Sequence, residues 1–145
     1  MLSVIIPVFN GEKTIGGLLD SIEGSSFNDY EIIIVDDCSL DATASIIKRY
    51  SGKNIFLPRQ SGPAAARNLG VSQTKGEIVG FTDDDCLADK NWIGNAIGYF
   101  LRGPSISGVE GKILPELADF NFGSHYVSNF KGRDFKTANI FYRRK

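Results

Sequence analysis

The chain of 145 residues is poor in the residues that mark several large protein classes. It has two cysteines, Cys38 and Cys86, and no CxxC pair, so a disulfide scaffold and a cysteine zinc site are both excluded. That usage fits a reducing, cytoplasmic setting. A single histidine, His125, rules out a histidine metal cluster. No apolar run approaches the ~20 residues of a membrane-crossing helix, and the start Met1-Leu2-Ser3-Val4 has no basic leader. Neither sign of charge dominates: sixteen basic residues against seventeen acidic ones exclude a nucleic-acid binder that works by massed positive charge. The fingerprint GxGxxG is absent after the first apolar run, where Asn10-Gly11-Glu12 stands instead, and no GxxxxGK[ST] loop occurs.

Apolar runs are present but short. Residues 2–8 and 31–35 are nearly continuous and rich in β-branched side chains, the pattern of strands covered on both faces. A weaker run at 54–57 and another run at 77–82, just ahead of the aspartates, predict two more strands. Between them, helical periodicity places Ile15, Leu18, Leu19 and Ile22 on one face of a helix over 12–23. Asp41 is the expected cap of a second helix that turns Ala44, Ile46 and Ile47 inward. Pro63 opens a third helix to about residue 74. Residues 90–101 form a fourth, with Trp92, Ile93, Ile97 and Phe100 near one face. Beyond Gly103 the alternation breaks, leaving a strand over 106–114, a loose segment over 119–130 and a final strand over 137–142.

Strand and helix in alternation, with short connections, give an α/β fold: a three-layer α/β/α sandwich around a mostly parallel, Rossmann-like sheet. Length and pattern predict a single domain over 1–145, with strand–helix alternation over 1–102 that breaks in 103–145. In such sheets ligands bind beyond the carboxyl ends of the strands. Pro7-Val8-Phe9-Asn10, Asp36-Asp37 and Asp83-Asp84-Asp85 fall there. Three adjacent carboxylates need neutralising, and Mg2+ or Mn2+ prefers oxygen ligands of this kind. In an extended segment Asp83 and Asp85 would share one face and reach one ion. A solvated acidic turn is the plainer reading of the triplet alone.

Four segments in order carry a more specific message. Val4-Ile5-Ile6-Pro7-Val8-Phe9-Asn10, then Ile34-Val35-Asp36-Asp37-Cys38-Ser39, then Gly62-Pro63-Ala64-Ala65-Ala66-Arg67-Asn68, then Lys75-Gly76-Glu77-Ile78-Val79-Gly80-Phe81-Thr82-Asp83-Asp84-Asp85 together resemble family 2 glycosyltransferases of the GT-A fold. The later Thr137-Ala138-Asn139-Ile140-Phe141-Tyr142-Arg143-Arg144 is similar to a weaker family segment on the acceptor side.

The resemblance implies a role for each position. Pro7, Phe9, Asn10 and Glu12 would border a nucleotide-sugar donor, Asp37 or Asp36 would accept from its base, and Arg67 would lie nearby. Asp83 and Asp85 would be the DxD pair, Asp83 toward the ribose or metal and Asp85 as the direct ligand of Mg2+ or Mn2+. Asp84 falls between them on the donor side, as a spacer. The implied reaction transfers a sugar, from a UDP-sugar by the family's commonest base, to the hydroxyl of a saccharide or lipid-linked acceptor with inversion. It would belong to polysaccharide or cell-envelope glycan synthesis, in the cytoplasm at the inner membrane face.

The family's catalytic base follows the 137–144 type of segment. It is therefore expected beyond Lys145, with Glu110, Glu116, Asp119, Asp134 and His125 as unselected substitutes, so the resemblance implies that 1–102 is a nucleotide-sugar-binding half and 103–145 the start of an acceptor-side half, incomplete. Without a base, the alternative is a non-catalytic nucleotide-sugar or partner-binding module. Phe120, Phe122 and Phe130 are apolar enough to favour a homodimer if exposed, and the basic end Arg143-Arg144-Lys145 would meet phosphate or a lipid head group unless it is simply solvated.

Overall fold

The computed structural model describes residues 1–114 and 137–144. Among these residues, six strands and four α-helices follow one another as β1 (Leu2–Val8), α1 (Ile15–Glu23), β2 (Tyr30–Asp36), α2 (Thr43–Ile47), β3 (Lys53–Phe56), α3 (Pro63–Ser72), β4 (Ile78–Phe81), α4 (Trp92–Phe100), β5 (Gly108–Glu110) and β6 (Ile140–Arg143). They form one sheet in the order β3-β2-β1-β4-β6-β5. The pairs β1/β2, β1/β4 and β2/β3 are parallel. Strand β6 runs antiparallel to both β4 and β5. The segments after Gly103 that form strands therefore extend the same sheet.

The alternation of side chains along β1 divides the core in two. Leu2, Val4, Ile6 and Val8 join Ile32 and Ile34 of β2 against Ile15, Leu18, Leu19 and Ile22 of α1, Ile47 of α2 and Ile93, Ala96 and Phe100 of α4. On the other face Ile33 and Val35 meet Ala66 and Leu69 of α3. Helices on both faces of a mixed sheet make the expected three-layer sandwich. Trp92 packs its ring on Phe141 with centroids 5.0 Å apart, in the core role its position on α4 predicts.

Close approach favours glycine at Gly70 and Gly80, among other positions. A Cβ at Gly70 of α3 would lie 2.5 Å from Cγ2 of Ile5, and one at Gly80 of β4 would lie 2.5 Å from two ring carbons of Phe141. Small residues there let α3 and the Phe141 ring lie directly on the sheet. Several element ends differ from the sequence reading. Helix α1 starts at Ile15 because residues 11–14 turn on the Gly11 carbonyl, which accepts from the N–H groups of Thr14 and Ile15. Strand β5 is confined to Gly108–Glu110, and a 3-10 turn over Thr137–Asn139 delays β6 to Ile140.

The end of the sheet remote from the acidic loops is tied by polar contacts. Glu31 Oε1 accepts from Ser3 Oγ and from the Lys75 N–H, both at 2.6 Å, while the Gly76 N–H donates to Ser3 Oγ at 2.8 Å. Burial would raise the Glu31 pKa, but these donors outweigh it and hold the carboxyl below its ordinary value. Arg143 donates to the carbonyls of Ile106 and Phe100, and Arg144 to Thr74. Both guanidinium groups are thus engaged in closing the fold, away from the acidic loops, while Arg144 stays exposed as a solvated terminus would be. The loose segment expected over 119–130, with Phe120, Phe122 and Phe130, lies outside the described residues, as does Lys145.

Two outcomes follow. Gly80→Ala forces the Phe141 ring to move and should destabilise by about 1–3 kcal/mol in urea unfolding. Because the Glu31 pKa is lowered on folding, its contribution is complete above the ordinary glutamate range and disappears as pH falls through the lowered value. Glu31→Gln should therefore lose less stability than the parent between neutral pH and the acid end of that window.

Candidate functional site

The strand order reverses direction between β1 and β4, and the loops leaving β1, β2 and β4 at that edge enclose a cleft of about 370 Å³. Its lining is Pro7, Val8, Phe9, Asp37, Gln60, Pro63, Arg67, Asp83, Asp84 and Asp85. Pro7, Phe9, Asp37, Arg67 and the three adjacent aspartates thus converge as the sequence suggested. Asn10, Glu12 and Asp36 do not line the cleft. Gln60 and Pro63 do, and the Gly62-Pro63 pair was the signal for the latter.

Each acidic residue has a distinct partner. Asp37 is 3% exposed and accepts from the Ser61 N–H at 2.7 Å with Oδ1 and from the Gly62 N–H at 2.8 Å with Oδ2. The carboxylate thereby fixes the turn that launches α3, where Gly62 has φ +89°, a conformation that favours glycine. It retains lone pairs for a further donor in the cleft. Asp36, 2% exposed, accepts from the Ser39 N–H at 2.9 Å and shapes the loop after β2. Arg67, which the resemblance places near a base, pairs with Asp83: Nη2 lies 2.5 Å from Oδ1. Its Nε is buried without a hydrogen-bond partner.

Strand β4 ends at Phe81, and the aspartates form a turn closed by the Cys86 N–H donating to the Asp83 carbonyl at 3.2 Å. The extended geometry expected for Asp83 and Asp85 is therefore not what brings them together. Asp85 is exposed, and among the described residues its carboxylate meets only the Cys86 thiol, at 3.8 Å. Asp84 turns inward to accept from Thr14 Oγ1 at 3.0 Å. Burial pushes its carboxyl above the ordinary value, with smaller upward contributions from Asp85 and Asp83 and the Thr14 hydroxyl opposing. Burial likewise raises the Cys86 thiol, helped by Asp85. Both cysteines are half-buried and free.

Asn10 and Glu12 join loops rather than face the cleft. Asn10 Oδ1 accepts from the Leu40 N–H and its own N–H donates to Ser39 Oγ, each at 2.9 Å. Glu12 Oε2 accepts from the Ala42 N–H while the Glu12 N–H donates to Asp41 Oδ2, each at 3.1 Å. Asp41 also accepts from the Thr43 N–H at 3.0 Å, so it organises the turn before α2 rather than supplying the residue immediately ahead of it. Asn10 adopts φ 53° and Cys38 φ 67° within this lattice. Trp92 Nε1 donates to Asn139 Oδ1 at 2.8 Å, anchoring the start of β6 at the same sheet end. Glu116, Asp119, His125 and Asp134 lie outside the described residues.

The geometry fits a nucleotide site with a hard cation in part. Mg2+ is commonly held by one or two carboxylates together with phosphate oxygens and water. Asp85 is open to solvent, and Asp83 is reachable beside it. No group of three His, Cys, Asp or Glu side chains among the described residues converges as a metal cage. A diphosphate would have to complete any such shell.

The chain matches the model of glycosyl transferase family 2 over residues 3–143 and belongs to that family. Poly(ribitol-phosphate) beta-N-acetylglucosaminyltransferase TarS of Staphylococcus aureus is 33% identical over 79% of this chain and 22% of its own length. Glycosyltransferase AglE of Haloferax volcanii is 30% identical over 77% of this chain and 39% of its own. The chain thus spans well under half of these relatives. Among solved structures, S. aureus TarS 1-349 superposes with a TM-score of 0.76 at 28% identity, over 98% of this chain and 46% of that one. The same fragment in complex with UDP gives 0.70 at 32% identity over 79% and 38%. Mannosyltransferase PcManGT of Pyrobaculum calidifontis, in complex with GDP-Man and Mn2+, gives 0.71 at 27% identity over 75% and 34%.

Asp37→Ala should leave two backbone N–H groups beside α3 without their acceptor. Urea unfolding should register a loss of roughly 1–3 kcal/mol. An unchanged midpoint would show that the clasp is dispensable.

Proposed function

We propose that this chain is the donor-binding portion of a glycosyltransferase that moves a sugar from a nucleoside diphosphate, uridine being the favoured base, to an acceptor hydroxyl. The observation that carries the reading is the convergence of Asp37, Arg67 and the 83–85 aspartates on one cleft at the sheet's switch point. Pro7 and Phe9 give that cleft an apolar wall for a base, and Asp37 offers spare acceptor capacity beside it. Departure of a nucleoside diphosphate leaves negative charge on phosphate oxygen, which a Mg2+ or Mn2+ ion supplies the countercharge to stabilise. Asp85 and Asp83 are the residues placed to hold that ion. The UDP complex of TarS and the Mn2+ complex of PcManGT support both parts of the reading.

The names of relatives extend the proposal to a cell-surface polymer or another glycan as acceptor. TarS is named for poly(ribitol-phosphate), and a Campylobacter jejuni relative is named as a beta-1,3-glucosyltransferase acting on an undecaprenol-linked glycan. We place the transfer at the cytoplasmic face of a membrane, where a lipid-linked acceptor is reachable. Among the described residues no helix is long and apolar enough to cross one.

Calorimetric titration with UDP, GDP and dTDP, each with and without Mn2+, tests this reading. UDP should bind best, and Mn2+ should strengthen it. Asp85→Asn should remove most of the metal-dependent gain while leaving the weaker metal-free binding. Absence of nucleotide binding under every condition would overturn the proposal.

A further inference from the structure

The three adjacent aspartates do not share one task, and the middle one, half-buried at the edge of the cleft, turns toward the loop after β1. Its Oδ2 lies 3.0 Å from Thr14 Oγ1 on the loop that follows β1. That hydroxyl also lies 3.4 Å from the Gly11 carbonyl, but it has one proton to give, and the nearer, charged carboxylate is the stronger acceptor. The Gly11 position is cut to the same contact. A Cβ there would stand 2.5 Å from Asp84 Oδ2 and 2.6 Å from Cγ2 of Val8. The loop after β1 therefore leaves room for the carboxylate and supplies its donor.

The braced loop is itself held from the far side. Residues Asn10 and Glu12 exchange backbone and side-chain hydrogen bonds with the loop after β2. Asp84 joins the aspartate turn to this assembly. Its neighbours in sequence, Asp83 and Asp85, have no comparable tie to that loop: one pairs with Arg67 and the other faces solvent.

We propose that Asp84 is a positioning residue, braced by Thr14 in the space left by Gly11, which sets the aspartate turn so that Asp83 and Asp85 meet a diphosphate-bound divalent cation. This rests on the donor-site reading above and assigns the middle aspartate a task that neither spacing nor direct donor contact describes. The carboxylates that would meet the ion are thus oriented through a neighbour that does not touch it. Outer contacts of this kind are worth about 10-fold to 100-fold in metal affinity.

The test is a double-mutant cycle read by calorimetry and by the electron paramagnetic resonance of Mn2+, with UDP present. Thr14→Val should weaken Mn2+ binding in the presence of UDP by about 10-fold, and Thr14→Ser, which restores the hydroxyl, should recover it. Asp84→Ser should give a similar loss, and adding Thr14→Val to Asp84→Ser should cost no more than about 2-fold further, the signature of two residues acting as one unit. Binding of UDP without metal should change little in each variant, a split that a general loosening of the fold would not produce. Equal Mn2+ affinity in Thr14→Val and parent, or an undiminished Thr14→Val effect in the Asp84→Ser background, would overturn the proposal. If Val at position 14 prevents folding, as seen by circular dichroism, Asp84→Ser alone decides: an unchanged Mn2+ affinity overturns it. Failure of the parent chain to bind UDP at all would instead sink the donor-site reading and this inference with it.

Discussion

Mutual repulsion among carboxylates is the constraint around which the carboxyl end of this sheet is built. Asp36, Asp37, Asp83, Asp84 and Asp85 reach the same edge because β1, β2 and β4 run parallel and in register there. Like charges this close are tolerated only when each has its own compensation. Backbone N–H groups hold Asp36 and Asp37, a guanidinium holds Asp83, and a hydroxyl holds Asp84. Asp85 alone faces water. The loops are shaped by these assignments: the Asp37 clasp dictates the positive φ at Gly62, and the Asp84 brace leaves no room for a side chain at position 11.

The same contacts make the site largely preformed. The loops after β1 and β2 are cross-linked by four hydrogen bonds from Asn10 and Glu12, and the loop after β4 is joined to the first of them through Thr14. A ligand entering the cleft therefore meets residues whose positions are already fixed, so less ordering entropy is lost on binding. The division of labour also explains why acidic residues outnumber cleft-lining ones: Asp36, Asp41 and Glu12 build the loops that present Asp37.

Legibility in the sequence tracked burial. Strand β1 was readable to the residue and β2 to within one, because a continuous β-branched run too short for a buried helix fits little but a strand covered on both faces. The apolar face of α1 was readable because its helical periodicity is unbroken. Its start was not, since residues 12–14 were expected to be helical and are diverted by contacts to Asp41 and Asp84, 29 and 70 positions away. The antiparallel placement of β6 between β4 and β5 is a tertiary fact that periodicity does not encode. Site residues were legible by motif, whereas their pairings were not: nothing in the spacing of Arg67 and Asp83 announces an ion pair, and nothing marks Thr14 as a partner of Asp84.

The charge balance of the cleft bears on which ligand it admits. Four of its lining residues are aspartates and one is an arginine, and that arginine is already paired with Asp83. A bare nucleoside diphosphate would bring more negative charge into a surface that has no free cation among its described lining residues. Coulomb repulsion between unit charges at 4 Å is about 4 kcal/mol at the effective dielectric of a protein surface, enough to decide the matter if uncompensated. Two ways of compensating are open: a divalent cation that arrives with the diphosphate, or Arg67 leaving Asp83 for a phosphate. The second would strip Asp83 of its partner at the moment another anion arrives. The first leaves the ion pair intact and adds charge where Asp85 is exposed, which is the reason the proposed function has the diphosphate enter with its metal.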